Sequence, residues 1–452
     1  MASPRDFMRR QFAAATDVKV HDVYGASWDK GAVPTLTRTD DAVGMVANAG
    51  IDAGVVQNDF DATPFFASIQ EVTDLLGNVF IRIPKVYIRK TDGAGVKTWQ
   101  ICMTKRPGFY LPWCFWDFTN NRELPYIDIG KHKASLGAGS KLESKPNVYP
   151  LINTHIVNMR TYARNNNVGG LLGYQQLDLH VVDLLQTLFY VEFATLNSQA
   201  IMQGFTAGQY AATHLATVAE SGANRIIVAN AHANLYRVGQ TISVGTSQGG
   251  NQIFYGRTIT AIDVYDGSNK AITFDGAPVN IAIGNMIYNT GWKNGFSTGI
   301  AAKSGSLTAN DGKYPCVYRG IESPWGDLWQ FVDGININER QSWVAKNAAD
   351  YASNVFASPY EQLSYVNHNA GGYVTAMGYD ADRPFAPIPA AVGGGSTTYY
   401  SDLYHQTTGQ CIAYVGGYWL SGATAGLSYW SLLDSSGYAG VHLGGRLVRK
   451  AL

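Results

Sequence analysis

The sequence predicts an α+β protein. Two helices and a set of antiparallel strands share one domain, an all-β module is inserted into that domain, and an extended N-terminal arm precedes it. Three observations carry this reading. Residues 153–167 and 175–198 repeat apolar side chains at helical spacing, and the stretches around them alternate apolar and polar residues. From 205 to 290 short strands follow one another between Gly, Asn and Asp turns. The expected division is an arm for attachment and self-association over 1–64, the main domain over 65–204 and 291–452, and a small barrel or sandwich over 205–290.

A chain of 452 residues is long enough for two or three domains and a sizeable core. Its 34 basic and 34 acidic side chains balance, which removes the electrostatic case for a nucleic-acid or anionic-membrane partner. With 49 glycines, 12% aromatics and only 15% charged residues, it fits a strand- and loop-rich protein with large ordered loops. Cys102, Cys114, Cys316 and Cys411 show no C-x-x-C spacing, which speaks against a zinc site or disulfide framework and fits reduced thiols in a cytoplasm. The N-terminus is basic without an apolar core, so no secretory signal is expected. The best apolar run, 181–193, is broken by Asp183, Gln186 and Glu192, so no membrane insertion is expected.

In chain order, residues 1–20 read as a short helix with Arg5, Arg9 and Arg10 outward, or as a frayed terminus. Residues 21–60 carry turn signals and little periodicity, and read as an arm that a subunit partner must bury. VFIRIPKVYIRK (79–90) reads as an edge strand around Pro84, TWQICMTKR (98–106) as its hairpin partner, and ELPYIDIGKH (123–132) as a further strand. The first helix has a cap candidate near Asn153 and the spacing Ile156, Met159, Tyr162. The second sets Leu177, Val181, Leu184, Leu185, Leu188 and Phe189 on a face wide enough for a central core helix. His155 and His180 on these helices read as packed or surface residues, not ligands. IIVAN, TISVG, QIFYGRTITAIDVY, AITFDG and MIYNTG are the strands of the insertion.

After it, YRGIESPWGDLWQFVDG (318–334) places Trp325, Trp329 and Phe331 in a core. Arg319, Glu322 and Asp333 read as one buried polar network, with a catalytic pair of carboxylates as the competing reading. Residues 350–410 read as long loops. GGGSTTYYSDLYH (393–405) is expected as an ordered surface loop whose tyrosines suit recognition or pack beneath it.

The stretch 414–449, YVGGYWLSGATAGLSYWSLLDSSGYAGVHLGGRLVR, organises the chain. Gly416, Gly417, Trp419, Gly422, Gly426, Tyr429 and Trp430 read as framework, and 444–447 as a closing strand. Glycines permit tight turns and the rings anchor them. Between them lie exchangeable positions, and a loop face on such a scaffold is where ligand contacts tend to sit. The candidate ligand-binding residues are Tyr418, Leu420, Ser421, Ala423, Thr424, Ser428, Ser431, Leu433, Asp434, Tyr438, Ala439, Val441 and His442, with Tyr400 and Tyr404 as neighbours. The competing reading is a Gly-rich end that only closes the last domain.

Catalytic signatures are sparse. H-E-x-x-H, Walker A and Rossmann patterns are missing. GTSQG (245–249) matches a nucleophile elbow literally, but it falls in a β segment, where the required strand-to-helix turn is not expected. Asp380 and Asp382 read as a turn rather than calcium ligands. No catalytic residue, metal site or cofactor is assigned.

The helix pair, then YRGIESPWGDLWQFVDG, then GGYW…GLSYW…GGRL, resembles phage tail-tip and tail-fibre proteins with a C-type-lectin fold. That group includes variable receptor-binding proteins diversified by retroelements, and its fold subclass contains the formylglycine-generating oxidases. The resemblance covers about 65–204 and 291–452. It implies a C-type-lectin-like domain whose C-terminal loops meet a host cell-surface receptor, protein or glycan. It also implies a location at the tail tip or tail fibre of a virion made in a bacterial cytoplasm. The implied partners are other tail or baseplate proteins and copies of itself, as a homotrimer. The candidate contacts all belong to the residue types reachable by randomising the adenines of AAY codons, a set that holds most types. The oxidases' cysteine pair and the calcium-lectin E-P-N and W-N-D signatures are absent, so the resemblance implies a non-enzymatic binder. A divergent oxidase, a cell-wall hydrolase and a structural baseplate connector are the alternatives.

Overall fold

The helix Leu179–Phe193 is buried on every side, and the sheets of the molecule are arranged around it. The structure is a computed structural model describing residues 22–452 except 53, 248, 301 and 302, so the expected helix over 1–20 lies outside the described residues. Strands predominate; among the described residues only this helix and Ile156–Arg164, of five, exceed four residues, so the chain is strand-rich, of α+β or mainly-β class.

A helix buried all round must give each polar side chain a partner. Asp178 caps its first turn by accepting from the Val181 N–H at 2.9 Å. His180 Nε2 donates to the Ala345 carbonyl at 3.0 Å and Gln186 Nε2 to the Leu427 carbonyl at 3.0 Å. Asp183 pairs with Lys90, Glu192 with Arg319, and the Tyr190 hydroxyl meets Ser428 Oγ. These partners come from segments on different sides, so they fix both the rotation and the position of the helix. On one side lies a four-stranded sheet, in the order Thr37–Asp40, Val23–Trp28, Lys97–Cys102, Tyr87–Asp92. On the other lies a nine-stranded sheet that includes Trp329–Asn338, Gln410–Gly416 and Gly426–Leu432 as neighbours.

A five-stranded sheet ties the two ends of the main body together. Its strand Leu447–Lys450 runs between Tyr174–Gln176 and Tyr126–Gly130, so residues before and after the insertion are interleaved. Buried Arg446 leads into this strand. It donates to Gln330 Oε1 at 2.7 Å and to the carbonyls of Gly130 and Glu322 at 2.8 and 2.7 Å. The other long helix, Ile156–Arg164, is capped by the His155 ring rather than by Asn153. Arg160 on it grips Asp333 with two hydrogen bonds, at 2.7 and 2.8 Å.

Residues 22–64 do not form an arm awaiting a partner. Val23–Trp28 pairs with Lys97–Cys102, and Tyr24, Ala26, Trp28, Leu36 and Phe60 are buried in the largest core cluster. Side chains of this size contribute about 1.5–3 kcal/mol each on full burial, so the segment is held within its own chain. Pro84 ends a strand instead of sitting inside one. Val79–Pro84 lies between two neighbours in the five-stranded sheet, while Tyr87–Asp92 edges the four-stranded one. Residues 350–410 hold four strands, Tyr360–Gln362, Gly371–Met377, Pro389–Val392 and Leu403–Gln406, where long loops were expected. Nor do Arg319, Glu322 and Asp333 share one network. Arg319 pairs with Glu192 and Asp61, Asp333 with Arg160, and Glu322 takes His132 Nδ1 at 2.8 Å and the N–H groups of Gly295 and Ser297.

The segment after 205 has a five-stranded sheet, running from Arg225–Ala229 to Met286–Asn289, and an apolar cluster of its own built on Ile226, Ile242, Phe254, Ile272 and Ile287. Its root belongs to the main body. Phe205 packs with Trp292, Leu328, Trp419 and Val441, and its carbonyl accepts from Asp327 N at 2.7 Å.

Candidate functional site

The neighbouring strands Gln410–Gly416 and Gly426–Leu432 hold out two loops, 417–425 and 433–442. Gly416 and Gly417 start the first loop at φ 97° and 78°, and a Cβ on Gly417 would stand 2.9 Å from the Ala425 Cβ. Such backbone favours glycine. Buried Trp419 pins the loop from beneath, while Thr424 Oγ1 closes it on the Ser421 carbonyl at 2.6 Å. The loop also leans on the root of the insertion: Gly208 N–H donates to the Trp419 carbonyl at 2.5 Å and Gly422 N–H to the Thr206 carbonyl at 2.9 Å.

The second loop is tied down at Asp434, whose carboxylate accepts from the Tyr414 hydroxyl and whose carbonyl accepts from Ile412 N at 2.9 Å. Tyr438 and His442 close it, the phenol and Nε2 3.2 Å apart. The Tyr418 ring lies 5.1 Å from the His442 ring and is stacked on Trp329 at 6.5 Å, so the two loops meet through one aromatic group. Burial raises the Tyr418 and Tyr438 hydroxyls and lowers His442, which leaves three uncharged rings at neutral pH.

This geometry sorts the candidate contacts. Tyr418, Leu420, Ser421, Ala423, Thr424, Leu433, Asp434, Tyr438, Ala439 and His442 are exposed or half-exposed on the two loops. Ser428, Ser431 and Val441 are buried, because alternate positions of a central strand face its two covered sides and Val441 turns into the cluster beneath Trp419. Tyr400 and Tyr404 are buried as well. Tyr400 packs edge-on against Trp28 at 5.5 Å, and Tyr404 spends its hydroxyl on Gln406 Oε1 at 2.8 Å. These five are framework, not contacts. Sequence reading missed Tyr210 and Tyr255 of the insertion, and Asn153. The Asn153 N–H donates to the Gly440 carbonyl at 3.1 Å and its Nδ2 reaches the Tyr255 hydroxyl at 3.5 Å.

Other chemistry is weakly equipped. A cavity of about 350 Å³ lies between Trp116, Phe118, Arg164, Tyr174 and Lys450. Its two cations already serve the fold: Arg164 donates to the Ala348 and Tyr351 carbonyls and Lys450 to those of Trp113 and Trp116. The four cysteines are unpaired and buried; burial pushes the Cys102 thiol up to about 11 and raises the other three, away from the reactive thiolate. Ser247 of the elbow-like match ends a hairpin strand, Thr241–Ser247, with a strand rather than a helix after it. Asp380 accepts from the N–H groups of Ser364, Asp382 and Arg383, as a turn residue does. Among the described residues no group of three or more His, Cys, Asp or Glu is placed to hold a metal, and no helix is long and apolar enough to cross a membrane.

No family model matches the chain, and no curated protein matches it.

Proposed function

We propose that this chain is a host-attachment protein of a tailed phage, non-enzymatic, with a C-type-lectin-like main body that offers the 417–425 and 433–442 loops to a bacterial surface receptor. The observation that carries this reading is the separation of roles along one short stretch. Framework residues Gly417, Trp419, Gly426, Trp430 and Leu443 are buried, while ten interspersed residues remain on the surface. A stretch that only closed a domain would not need a stacked aromatic group at its open end. The raised thiols, and a cavity of about 350 Å³ whose cations are already bonded to backbone carbonyls, favour binding over catalysis. Residues 22–64 now give no reason for a partner subunit, so the homotrimer rests on the resemblance alone.

The test is adsorption. Fluorescently labelled full-length protein is incubated with a panel of bacterial cells and retention is measured by flow cytometry. Saturable capture by particular strains, competed by unlabelled protein, is the expected outcome. Lack of saturable capture across the panel overturns the attachment reading.

A further inference from the structure

Four tyrosines and a histidine from both sides of the insertion boundary gather at one face. Asn153 touches both the Gly440 carbonyl and the Tyr255 hydroxyl, which brings Tyr255, 45% exposed, beside the 438–442 loop. Half-exposed Tyr210 leans edge-on against buried Tyr288 at 5.2 Å, just beyond the Gly208–Trp419 hydrogen bond. The phenols are close enough to act on one another. After burial, Tyr418 and Tyr255 push the Tyr210 hydroxyl up, and Asp434, Tyr418 and Tyr210 push up that of Tyr438. Trp329 backs Tyr418 and Tyr288 backs Tyr210, so these two rings are held before any ligand arrives.

The face also has a distinctive charge character. Apart from Asp434, whose carboxylate is taken by the Tyr414 hydroxyl, the contributing segments 152–154, 207–211, 252–256, 418–424 and 433–442 contain no Asp, Glu, Lys or Arg, in a chain of which 15% is charged. His442 is held neutral by burial. A phosphorylated or acidic ligand calls for cations, usually arginine, and none is supplied by these segments. Protein hot spots are enriched in Trp, Tyr and Arg; this face offers tyrosines but no Arg, and its Trp419 is buried, so its rings are edged by hydroxyls and amides alone. Flat rings with hydroxyls at their rims match a ligand with an apolar C–H face and a hydroxylated edge.

Resting on the attachment reading, we infer that Tyr210, Tyr255, Tyr418, Tyr438 and His442 form one composite site for a neutral glycan, and that the insertion supplies half of it. Pyranose rings would stack on the tyrosines, with Asn153, His442 and the phenol hydroxyls bonding to sugar hydroxyls.

Two arms separate this inference from the attachment reading. In the first, full-length protein is titrated with dextran, mannan and galactan, neutral polysaccharides, and with dextran sulfate as the anionic control. In the second, cells that capture the protein are treated with periodate, which cleaves vicinal diols, or with proteinase K. The expected result is binding to at least one neutral polysaccharide, no preference for dextran sulfate, and capture lost after periodate but not after protease. Tyr210→Ala and Tyr255→Ala should each weaken binding at least tenfold with an unchanged Tm, and Tyr255→Phe should keep most of it. Capture that survives periodate and is lost to protease overturns the glycan site and keeps attachment. Polysaccharide binding without capture by any cell keeps the glycan site and overturns attachment. Full binding by the Tyr210 and Tyr255 variants overturns the insertion's share, and no binding in either arm overturns both.

Discussion

The Ser428 backbone N–H donates to Asp402 Oδ2 at 2.6 Å, and the same carboxyl lies against Gly426, two residues earlier on the strand. Asp402 is buried, and burial raises its carboxyl well above the usual range against the opposing pull of that N–H. Burial thus favours its neutral form, and it supports the strand that launches both loops. A Cβ at Gly426, where φ is 154°, would stand 2.1 Å from Asp402 Oδ1. Gly426→Ala should therefore cost at least about 2 kcal/mol, read as a lower urea midpoint.

The protonation of Asp402 has a sign that can be tested. Because its folded pKa is raised, the unfolded chain loses this proton first as pH rises above about 4, and the fold must keep it. Its contribution to stability is full at low pH and declines as pH climbs toward the folded value. Asp402→Asn keeps the shape and the acceptor for Ser428 without titrating. The stability of this variant relative to the native chain should rise between pH 4 and 7. A flat difference measured by urea unfolding at several pH values would show that Asp402 is ionised in the fold.

His180 runs the other way. It is wholly buried and its pKa is lowered by burial, so the unfolded chain takes up a proton below about pH 6.5 that the fold refuses. Stability from this group is complete above pH 6.5 and declines as pH falls toward the folded value. His180→Gln should be destabilised at pH 7.5 through the altered bond to Ala345, and the gap to the native chain should narrow at pH 5.5. A gap of constant size would mean that His180 does not titrate differently on unfolding.

The root of the insertion sets where it can be removed. Phe205 and Gly208 are wedged against Trp419, and Gln209 N–H donates to Asn289 Oδ1 at 2.7 Å just outside them. Removing 205–290 takes Phe205 out of its apolar cluster, a loss of about 3–5 kcal/mol from that ring alone. Removing 211–287 and bridging Tyr210 to Tyr288 with a short Gly-Ser linker spares it. The shorter deletion should give soluble protein with a single cooperative melt, and the longer one should aggregate or melt far lower. Equal melting of the two would show that the Phe205 cluster is dispensable.

Where local pattern and tertiary setting agree, the sequence was readable. The helix Leu179–Phe193 announces itself by its apolar girth, and the strands of the insertion by their turn residues. Misreadings arose where the deciding partner is distant in the chain. Nothing near Tyr24 or Trp28 tells that Lys97–Cys102 will pair with them. Arg319 and Asp333 sit close together in sequence, yet their charges are answered by Glu192 and Arg160, each more than a hundred residues away. At the site, period-two alternation in Gly426–Leu432 was hidden because the sheet is covered on both faces. Ser428 and Ser431 are therefore interior despite being small and polar. Tyr210 and Tyr255 carried no signal at all, since only folding brings the insertion to the C-terminal loops.

The last prediction separates surface from framework on the loops. Leu420 is 44% exposed, so alanine there should change stability by less than about 0.5 kcal/mol. Tyr438, half-exposed, also meets His442, and its truncation should cost about 0.5–1.5 kcal/mol. If these loops are the receptor face, loss of an aromatic contact such as Tyr438 should cost about 2 kcal/mol or more of binding, close to a thirtyfold rise in Kd. Tyr404→Ala and Trp430→Ala should do the reverse. Both rings are buried, and each truncation should cost about 3–5 kcal/mol of folding. The measurement pairs a melting curve with adsorption of isolated protein to cells, because a multivalent particle can mask one weakened contact. Weakened adsorption with normal melting for Leu420→Ala and slightly lowered melting for Tyr438→Ala, against far lower melting for Tyr404→Ala and Trp430→Ala, is the expected pattern. Normal adsorption by both loop variants would move the receptor site off this face.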